Sequence, residues 1–417
     1  ALHCYGESRC CDFGGRLFMG TLDSHLVSLD AKTGSVIWDV AVEDYQKGFS
    51  ITHAPLAVDG KIIIGITAGE CALTGFVDAY DAATGKLLWR HRTIAQKGDP
   101  NRSTWPDDKA ADTGGGPTWT TGTYEPETGT LFWTVGNPSP DYDGSVRAGA
   151  NLYTCSVLAL DPNTGKLKWY FQFSPHDTHD WDANETPMLV DLPLGGKVRK
   201  LLVQANRNAF YYVLDPETGQ FLRGKAFAHQ TWAEGLDDNG HPIVKPGSAP
   251  TPEGTYTCPD AQGATNFAAP SFDPKTVLFY VAVREACAVY SSKSREPEPG
   301  AGYTGTGQRL DEVVGAPGAV RALDPTSGDV CWNFQIQEGS SAAGVLATAG
   351  GLVFATVADG NLIALAAANG KCLWEYQTGE RIRSSPISYA VDGKPSPQAP
   401  YYSVSRSRTA KYSVVFL

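Results

Sequence analysis

One twelve-residue pattern recurs along the chain and constrains its fold more than any other feature. Five copies share the turn glycine and the tryptophan of one template: LDAKTGSVIWDV (29–40), YDAATGKLLWRH (80–91), LDPNTGKLKWYF (160–171), LDPTSGDVCWNF (323–334) and LAAANGKCLWEY (365–376). A sixth copy, LDPETGQFLRGK (214–225), lacks the tryptophan. Alternating apolar residues lead into a turn, usually Asp-x-x-Thr-Gly, in which the Asp side chain caps the backbone and Gly takes positive φ. The pattern predicts a β-hairpin whose second strand carries a tryptophan four residues after the glycine.

A second, plainer hairpin pattern precedes these copies, as in VDGKIIIGIT and TAGGLVFATVADG. Two hairpins per unit predict four-stranded antiparallel sheets, and a series of such sheets with little helical pattern predicts an all-β fold, the β-propeller. The tryptophans are then expected to pack between neighbouring blades. Six blades are expected near 12–45, 53–95, 118–172, 187–226, 266–337 and 344–377, and a half blade near 383–417. The whole chain, 1–417, is expected to form a single propeller domain.

Composition narrows the choice of partner and compartment. The net charge of −11 disfavours a nucleic-acid partner and favours cations or a basic protein. No apolar run approaches the length of a membrane span. The chain opens at Ala1 without a methionine, so we expect a processed or truncated start. Nine cysteines fit an oxidising compartment if some of them pair, and the odd number leaves at least one thiol unpaired.

Long insertions at 92–117, 226–265 and 288–318 separate predicted strands. In propellers such loops commonly build the site at one mouth of the ring. Polar residues and one tryptophan stand out near strand ends and in loops, and these candidates are Glu70, Trp119, Asn137, Arg207 and Asn266.

The stretch SPHDTHDWDANE (174–185), called the acidic loop below, places Asp177, Asp180 and Asp182 close together. Carboxylates at this spacing repel one another unless protons, cations or water intervene. The loop is therefore either a solvated acidic loop or a metal site with a carboxylate base beside it.

Six short motifs occur in one order along the chain: CCD (10–12), AGE (68–70), GGGPTW (114–119), GNP (136–138), PHDTHDWD (175–182) and NRN (206–208). In this order the chain resembles the quinoprotein alcohol dehydrogenases, the methanol and ethanol dehydrogenase family that binds pyrroloquinoline quinone (PQQ). The similarity runs from about residue 10 to 395. The family has eight blades, of which about six and a half are recognisable here, so the resemblance implies a propeller incomplete at its N-terminus.

The resemblance implies a metal site and a catalytic base. Glu70 and Asn137 would bind the cation, and Asp180 would be both a ligand and the base that accepts the alcohol proton. Asp182 lies where lanthanide-using members carry an additional aspartate. An extra carboxylate suits a trivalent ion, so a lanthanide is expected in preference to Ca²⁺. His176 and Asp177 are expected to hold the acidic loop through hydrogen bonds.

The resemblance also implies how the quinone is held. Trp119 would stack on one face and a vicinal Cys10–Cys11 disulfide would lie on the other. Arg207 would reach the quinone carbonyl oxygens. The residues expected to hydrogen-bond the quinone periphery are Thr52, Thr67 and Asn266.

Cys258 and Cys287 match the second disulfide of the family, which fits a periplasmic location. The cysteines without an implied partner are Cys4, Cys71, Cys155, Cys331 and Cys372.

Two features depart from the family. Asp12 is followed by FGGRLF, so the arginine that follows this motif in the family has no counterpart, and Arg16 is a poor substitute. The long N-terminal segment of the family is also absent.

The first hypothesis for function is a periplasmic dehydrogenase that oxidises small primary alcohols to aldehydes and passes electrons to a c-type cytochrome. The second is a non-catalytic or truncated propeller with a binding or scaffold role. A third class, a propeller that assembles outer-membrane proteins, should lack the acidic loop. A homodimer remains open.

Overall fold

The computed structural model describes residues 10–298, 301–311, 317–336, 343–357, 360–379, 382, 384–391, 394–403 and 411–416. Six four-stranded antiparallel sheets follow one another along the chain. These sheets are called blades 1 to 6, and they lie where the repeat predicts them. The all-β prediction is confirmed.

The strands of blades 1 to 3 are Cys10–Phe13, Arg16–Gly20, His25–Asp30 and Val36–Ala41; Leu56–Val58, Lys61–Gly65, Phe76–Asp81 and Leu87–Arg92; and Thr123–Glu125, Thr130–Thr134, Ser156–Leu160 and Leu167–Gln172. Those of blades 4 to 6 are Met188–Leu194, Lys197–Ala205, Phe210–Leu214 and Phe221–Ala226; Ser271–Asp273, Leu278–Arg284, Gly318–Leu323 and Val330–Ile336; and Leu346–Ala347, Leu352–Thr356, Asn361–Ala366 and Cys372–Gln377.

The repeat tryptophans of blades 1, 2, 3 and 5 join each of these blades to the next. In blade 2, the Trp89 indole N–H donates to the carbonyl of Pro162 in the following blade (3.0 Å). The ring also covers the turn glycine Gly165, where an added Cβ would lie 2.5 Å from the indole. The same indole-to-carbonyl bond is made by Trp38 with Ala82, Trp169 with Pro216 and Trp332 with Ala367. The predicted packing of tryptophans between blades is confirmed for these four, and the sheets are the blades of a β-propeller.

Blade 4 contacts blade 5 through a tyrosine in place of the repeat tryptophan. Its repeat copy lacks the tryptophan, and Tyr211 on the preceding strand donates its hydroxyl to the carbonyl of Pro325 in blade 5 (3.1 Å). The Tyr211 ring also lies against the turn glycine Gly328. A contact between blades is therefore kept although the repeat residue is lost.

The apolar core lies between blades. Phe18 and Leu26 of blade 1, for example, belong to one buried cluster with Ile62, Ile64 and Phe76 of blade 2. Burial of such faces is the main favourable contribution to folding, at about 25 cal/mol per Å² of apolar surface.

The connections between the blade strands, including the long insertions, carry the helices and two small sheets. The helices are the short α-helix Asp108–Asp112 and the single 3-10 turns Tyr45–Lys47, Gly69–Cys71, Pro100–Thr104 and Gly144–Val146. The small sheets contain the strands Ala233–Leu236 and Pro242–Val244, and Thr255–Thr257, Ala288–Ser292 and Thr306–Leu310. The half blade expected near 383–417 is a three-stranded sheet of Ile387–Val391, Lys394–Ser403 and Lys411–Phe416.

Candidate active site

Glu70 lies in the 3-10 turn that follows the strand Lys61–Gly65 of blade 2. The flanking Ala68 and Ala72 both adopt left-handed conformations, with φ of 92° and 54°. Such conformations cost energy in residues other than glycine and are concentrated at functional sites. The main-chain carbonyl of Glu70 accepts the N–H of Tyr303 (2.6 Å), which ties this turn to the long insertion in blade 5.

The acidic loop is held from inside by Asp177. Its Oδ2 accepts the main-chain N–H groups of His179 (3.3 Å) and Trp181 (3.1 Å). The imidazole Nδ1 of His176 lies 2.9 Å from a main-chain carbonyl of the neighbouring loop. The prediction that His176 and Asp177 hold the loop is confirmed. Asp180 lies in this loop with φ of 62° and with 22% of its side chain exposed.

Asp182 is the centre of the hydrogen-bond network. Its Oδ2 accepts the guanidinium of Arg207 (2.6 Å) and the indole N–H of Trp119 (3.0 Å). Its Oδ1 accepts the main-chain N–H of Asn137 (2.7 Å). Four of the residues predicted from separate motifs are thus brought into direct contact.

Arg207 connects the two aspartates. Besides its bond to Asp182, its Nη2 lies 3.7 Å from Oδ2 of Asp180 and donates to the carbonyl of Ala261. The phenol of Tyr142 donates to the same oxygen of Asp180 at 3.4 Å. The carboxylate of Asp180 therefore faces both a guanidinium and a phenol.

Burial dominates the electrostatics of the carboxylate cluster, defined as Glu70, Asp180 and Asp182. Burial raises the pKa of Glu70, and the charge of Asp182 raises it further. Burial also raises the pKa of Asp180, against the lowering effect of Arg207. One guanidinium faces three carboxylates, so the cluster has an excess of negative charge that a cation would neutralise.

Asn137 shows that the cluster fits a hard cation. Its side chain is 1% exposed, and its Oδ1 has no hydrogen-bond partner among the described residues. A buried carbonyl oxygen without a donor is costly. Carboxylate and amide oxygens are the donors that hard cations prefer, so a cation bound by Asn137 Oδ1 and the carboxylate cluster would satisfy this atom.

A second grouping of ligand-type side chains is not a metal site. In the described part of the chain, three His, Cys, Asp or Glu ligand atoms approach within 4.8 Å of one another at His229, Cys258 and Cys287 alone. Cys258 and Cys287 form a disulfide. At least one pair of carboxylates in the cluster is therefore farther apart than this limit.

The Cys258–Cys287 disulfide confirms the predicted pairing. It also holds a segment that contacts two residues of the site. It anchors the segment whose carbonyls accept the Trp181 indole N–H, at Asp260 (3.1 Å), and the Arg207 guanidinium, at Ala261. The vicinal Cys10–Cys11 disulfide stays a prediction, because the side chain of Cys10 lies outside the described residues.

The residues predicted to line the quinone periphery make protein contacts. The Thr52 hydroxyl donates to the carbonyl of Trp119 (3.2 Å), and that of Thr67 pairs with Ser50 (2.9 Å). Asn266 Nδ2 donates to a main-chain carbonyl within its own loop (2.9 Å). Thr52 thus supports Trp119, and the roles of Thr67 and Asn266 toward a quinone stay predictions.

Sequence reasoning missed several residues of the site. Phe267 lies edge-on to Trp119, with 5.9 Å between ring centroids. Asp141 accepts a hydrogen bond from Asn137, and Tyr142 contacts Asp180. The run SPDYDG directly after the GNP motif was the available signal for the last two.

Arg16 does not reach the site. Its guanidinium donates to the carbonyls of Ala82 and Ala83 in the turn of blade 2, both at 3.1 Å. It therefore serves as a contact between blades, as expected of a poor substitute for the missing arginine.

Within the described residues, no helix is both long and apolar enough to cross a membrane.

A propeller of this kind is the fold of the PQQ-binding class. Residues 5–224 match the family described as the glucose/ethanol/alcohol dehydrogenase PQQ β-propeller domain. Residues 294–394 match a second family, the outer membrane protein assembly factor BamB.

Named relatives agree with the first family. The quinoprotein alcohol dehydrogenase PedH of Pseudomonas putida is 36% identical over 92% of this chain and 70% of its own length. The quinohemoprotein alcohol dehydrogenase of Comamonas testosteroni is 34% identical over 93% of this chain and 60% of its own length. The chain belongs to the family of PQQ-dependent alcohol dehydrogenases.

Solved structures of similar proteins support the same assignment. A europium-containing methanol dehydrogenase superposes with a TM-score of 0.87 at 31% identity, covering 95% of this chain and 72% of that protein. The Comamonas testosteroni quinohemoprotein alcohol dehydrogenase gives a TM-score of 0.89 at 30% identity, covering 98% and 65%. The chain therefore spans between about three fifths and three quarters of the length of these relatives.

Proposed function

We propose that this chain is a PQQ- and metal-dependent dehydrogenase that oxidises small primary alcohols to aldehydes. The observation that carries the proposal is the buried Oδ1 of Asn137, which has no hydrogen-bond partner among the described residues, in a residue whose main-chain N–H contacts Asp182 of the carboxylate cluster. Bound PQQ supplies the hydride acceptor, and a bound hard cation supplies the Lewis acid. The proposed ligands of that cation are Glu70, Asn137, Asp180 and Asp182.

Asp180 is the proposed base. Its side chain is 22% exposed, which supports access for an alcohol hydroxyl. Burial raises the pKa of Asp180, and a carboxylate with a raised pKa is a better proton acceptor than an ordinary aspartate. Asp180 takes the hydroxyl proton as the substrate loses hydride, and the Tyr142 phenol holds the same oxygen in position.

Arg207 and Trp119 are proposed to orient the quinone. Asp182 holds both side chains through one carboxylate oxygen, so their positions are coupled. A fixed guanidinium beside the ring would stabilise negative charge that develops there. The vicinal Cys10–Cys11 disulfide is proposed for the opposite face, with Thr52, Thr67 and Asn266 at the periphery.

A lanthanide is the proposed metal, with Ca²⁺ as the alternative. Asp182 adds an anionic oxygen two residues after the base, which suits a trivalent ion. The europium-containing methanol dehydrogenase is one of the structural neighbours.

We further propose a single propeller over 1–417, a periplasmic location and a c-type cytochrome as electron acceptor. The cytochrome proposal is supported by relatives that are named quinohemoproteins or dehydrogenase subunits.

The alternative is a propeller that keeps the scaffold without catalysis. The observation that favours it is Arg16, whose bonds to the turn of blade 2 keep its guanidinium away from the site. Reconstitution separates the two functions. The refolded or purified chain is mixed with PQQ and either La³⁺ or Ca²⁺, and the absorption spectrum is recorded after gel filtration. A bound quinone spectrum that requires a cation supports the dehydrogenase; protein that elutes without quinone under both metals supports the scaffold.

A further inference from the structure

Asp141 accepts a hydrogen bond from the side-chain nitrogen of Asn137, one of the proposed cation ligands. The atom of Asn137 proposed to bind the cation is the oxygen of the same amide. The Asn137 amide donates its Nδ2 to Asp141 Oδ1 (3.0 Å) and to the carbonyl of Pro138 (3.2 Å). Asp141 is 2% exposed, so solvent does not compete strongly for this bond. The two acceptors face the amide nitrogen, and Oδ1, which has no hydrogen-bond partner in the described part of the chain, lies on the other side of the amide.

We infer that Asp141 is a positioning residue that fixes the orientation of the Asn137 amide and so presents its Oδ1 to the cation. The inference rests on the proposed function. A flipped amide would place Oδ1 against a carboxylate and a carbonyl, and would turn the amide hydrogens toward the cation. Acceptor atoms repel each other at hydrogen-bond distance, and so do amide hydrogens and a cation, so the two acceptors select one orientation.

Arg147 keeps Asp141 in place. Its guanidinium is fully buried and donates to the main-chain carbonyls of Pro140 (3.0 Å), Asp141 (3.1 Å) and Asp177 (2.6 Å). The same side chain therefore joins the loop after Asn137 to the acidic loop. Because partners of metal ligands orient those ligands, loss of such a partner typically lowers metal affinity about 10- to 100-fold.

The test measures cation affinity and does not depend on turnover. The full chain loaded with PQQ is titrated with Tb³⁺, and tryptophan-sensitised luminescence gives the dissociation constant. Asp141→Ala is expected to weaken Tb³⁺ binding about 10- to 100-fold. Asp141→Asn should cost only several-fold, because the new amide oxygen still accepts from Asn137.

Asp143→Asn is the matched control. It removes the same charge two residues away, where Asp143 caps Ser145 at 3.1 Å. This variant should bind Tb³⁺ nearly as tightly as the wild type. If Asp141→Ala does not fold, Asp141→Leu, which fills the side-chain volume but offers no acceptor to Asn137, is compared with Asp143→Asn. Equal affinities in these two variants would overturn the inference.

A double-mutant cycle with Asn137→Ala separates orientation from long-range charge. If Asp141 acts through Asn137, Asp141→Ala should have no further effect on affinity in the Asn137→Ala background. The same loss in both backgrounds would show that Asp141 acts by its charge and would overturn the inference. Wild-type protein that binds no Tb³⁺ with PQQ present would instead overturn the proposed function, and the inference with it.

Discussion

Asp182 accepts three N–H donors, and this determines what its removal should do. A carboxylate has about four lone-pair positions, so these bonds leave room for a cation. Asp182→Ser removes one anionic ligand and also releases Arg207 and Trp119.

We expect Asp182→Ser to lose overall activity and to lower the ratio of La³⁺- to Ca²⁺-supported turnover by about 10-fold or more. Dye-linked alcohol oxidation with each metal measures the ratio. Asp182→Asn, which keeps a hydrogen-bond acceptor for Arg207, is the control for positioning. An unchanged ratio in Asp182→Ser would refute a ligand role for Asp182 while leaving the dehydrogenase proposal intact.

His91, in blade 2 and outside the site, should make stability depend on pH. Burial lowers the pKa of its imidazole, whose Nε2 has no hydrogen-bond partner among the described residues. Below its ordinary pKa of about 6.5 the unfolded chain takes up a proton that the folded chain does not. The contribution of His91 to the free energy of unfolding should therefore fall as the pH falls from 7 to 5.

His91→Gln should flatten this dependence, because it removes the titrating group. Urea unfolding of wild type and His91→Gln at several pH values measures the two slopes. His25, which is partly exposed and pairs with Asp39, offers a control substitution at a surface histidine. Identical slopes in wild type and His91→Gln would contradict the prediction.

At the residue scale, the sequence predicted several side chains of the site but not which way every side chain points. Trp119, Asn137, Asp182 and Arg207 come together as the motifs suggested. Asp141 lies in a short polar run, and no pattern tells whether such a side chain points inward.

At the scale of single elements, the turn and its tryptophan form one unit. The residues that make the turn and the tryptophan lie in one short pattern, so the sequence predicted the hairpins and their packing. Blade 4 was different: Tyr211 comes from the preceding strand, so no local pattern could reveal it.

Gly165→Ala tests the packing of the Trp89 ring on the turn of the next blade. Ala at φ of 68° costs about 1–2 kcal/mol from backbone strain. Its Cβ would also lie 2.5 Å from the Trp89 ring, and overpacking of this kind costs about 1–3 kcal/mol more. We therefore expect a larger loss of unfolding free energy in urea than backbone strain alone gives.

Gly195→Ala is the matched control for backbone strain. Gly195 has φ of 64° and no atom within 4 Å of an added Cβ. The difference between the two variants measures the contact with Trp89. Equal losses in both would mean that the tryptophan contact between blades adds no stability.

At the scale of the whole molecule, the repeat predicted the number and order of the blades, since each copy carries its own strands and turn. The site was harder to predict, because its residues come from loops that meet only when the blades are arranged. Family resemblance, carried by the order of six motifs, supplied those contacts. The departures from the family after Asp12 affect function only if they prevent the quinone from binding, and reconstitution with PQQ measures that binding.

The most direct test of the proposed function compares wild type with Asp180→Asn after loading with PQQ and La³⁺. Wild type should oxidise primary alcohols with a dye as acceptor. Asp180→Asn should keep the bound quinone spectrum but lose about 10²- to 10⁴-fold in turnover, since an amide cannot accept the hydroxyl proton. Wild-type turnover by Asp180→Asn, or a loaded wild type that oxidises no alcohol, would contradict the proposed role of Asp180 or the dehydrogenase function itself.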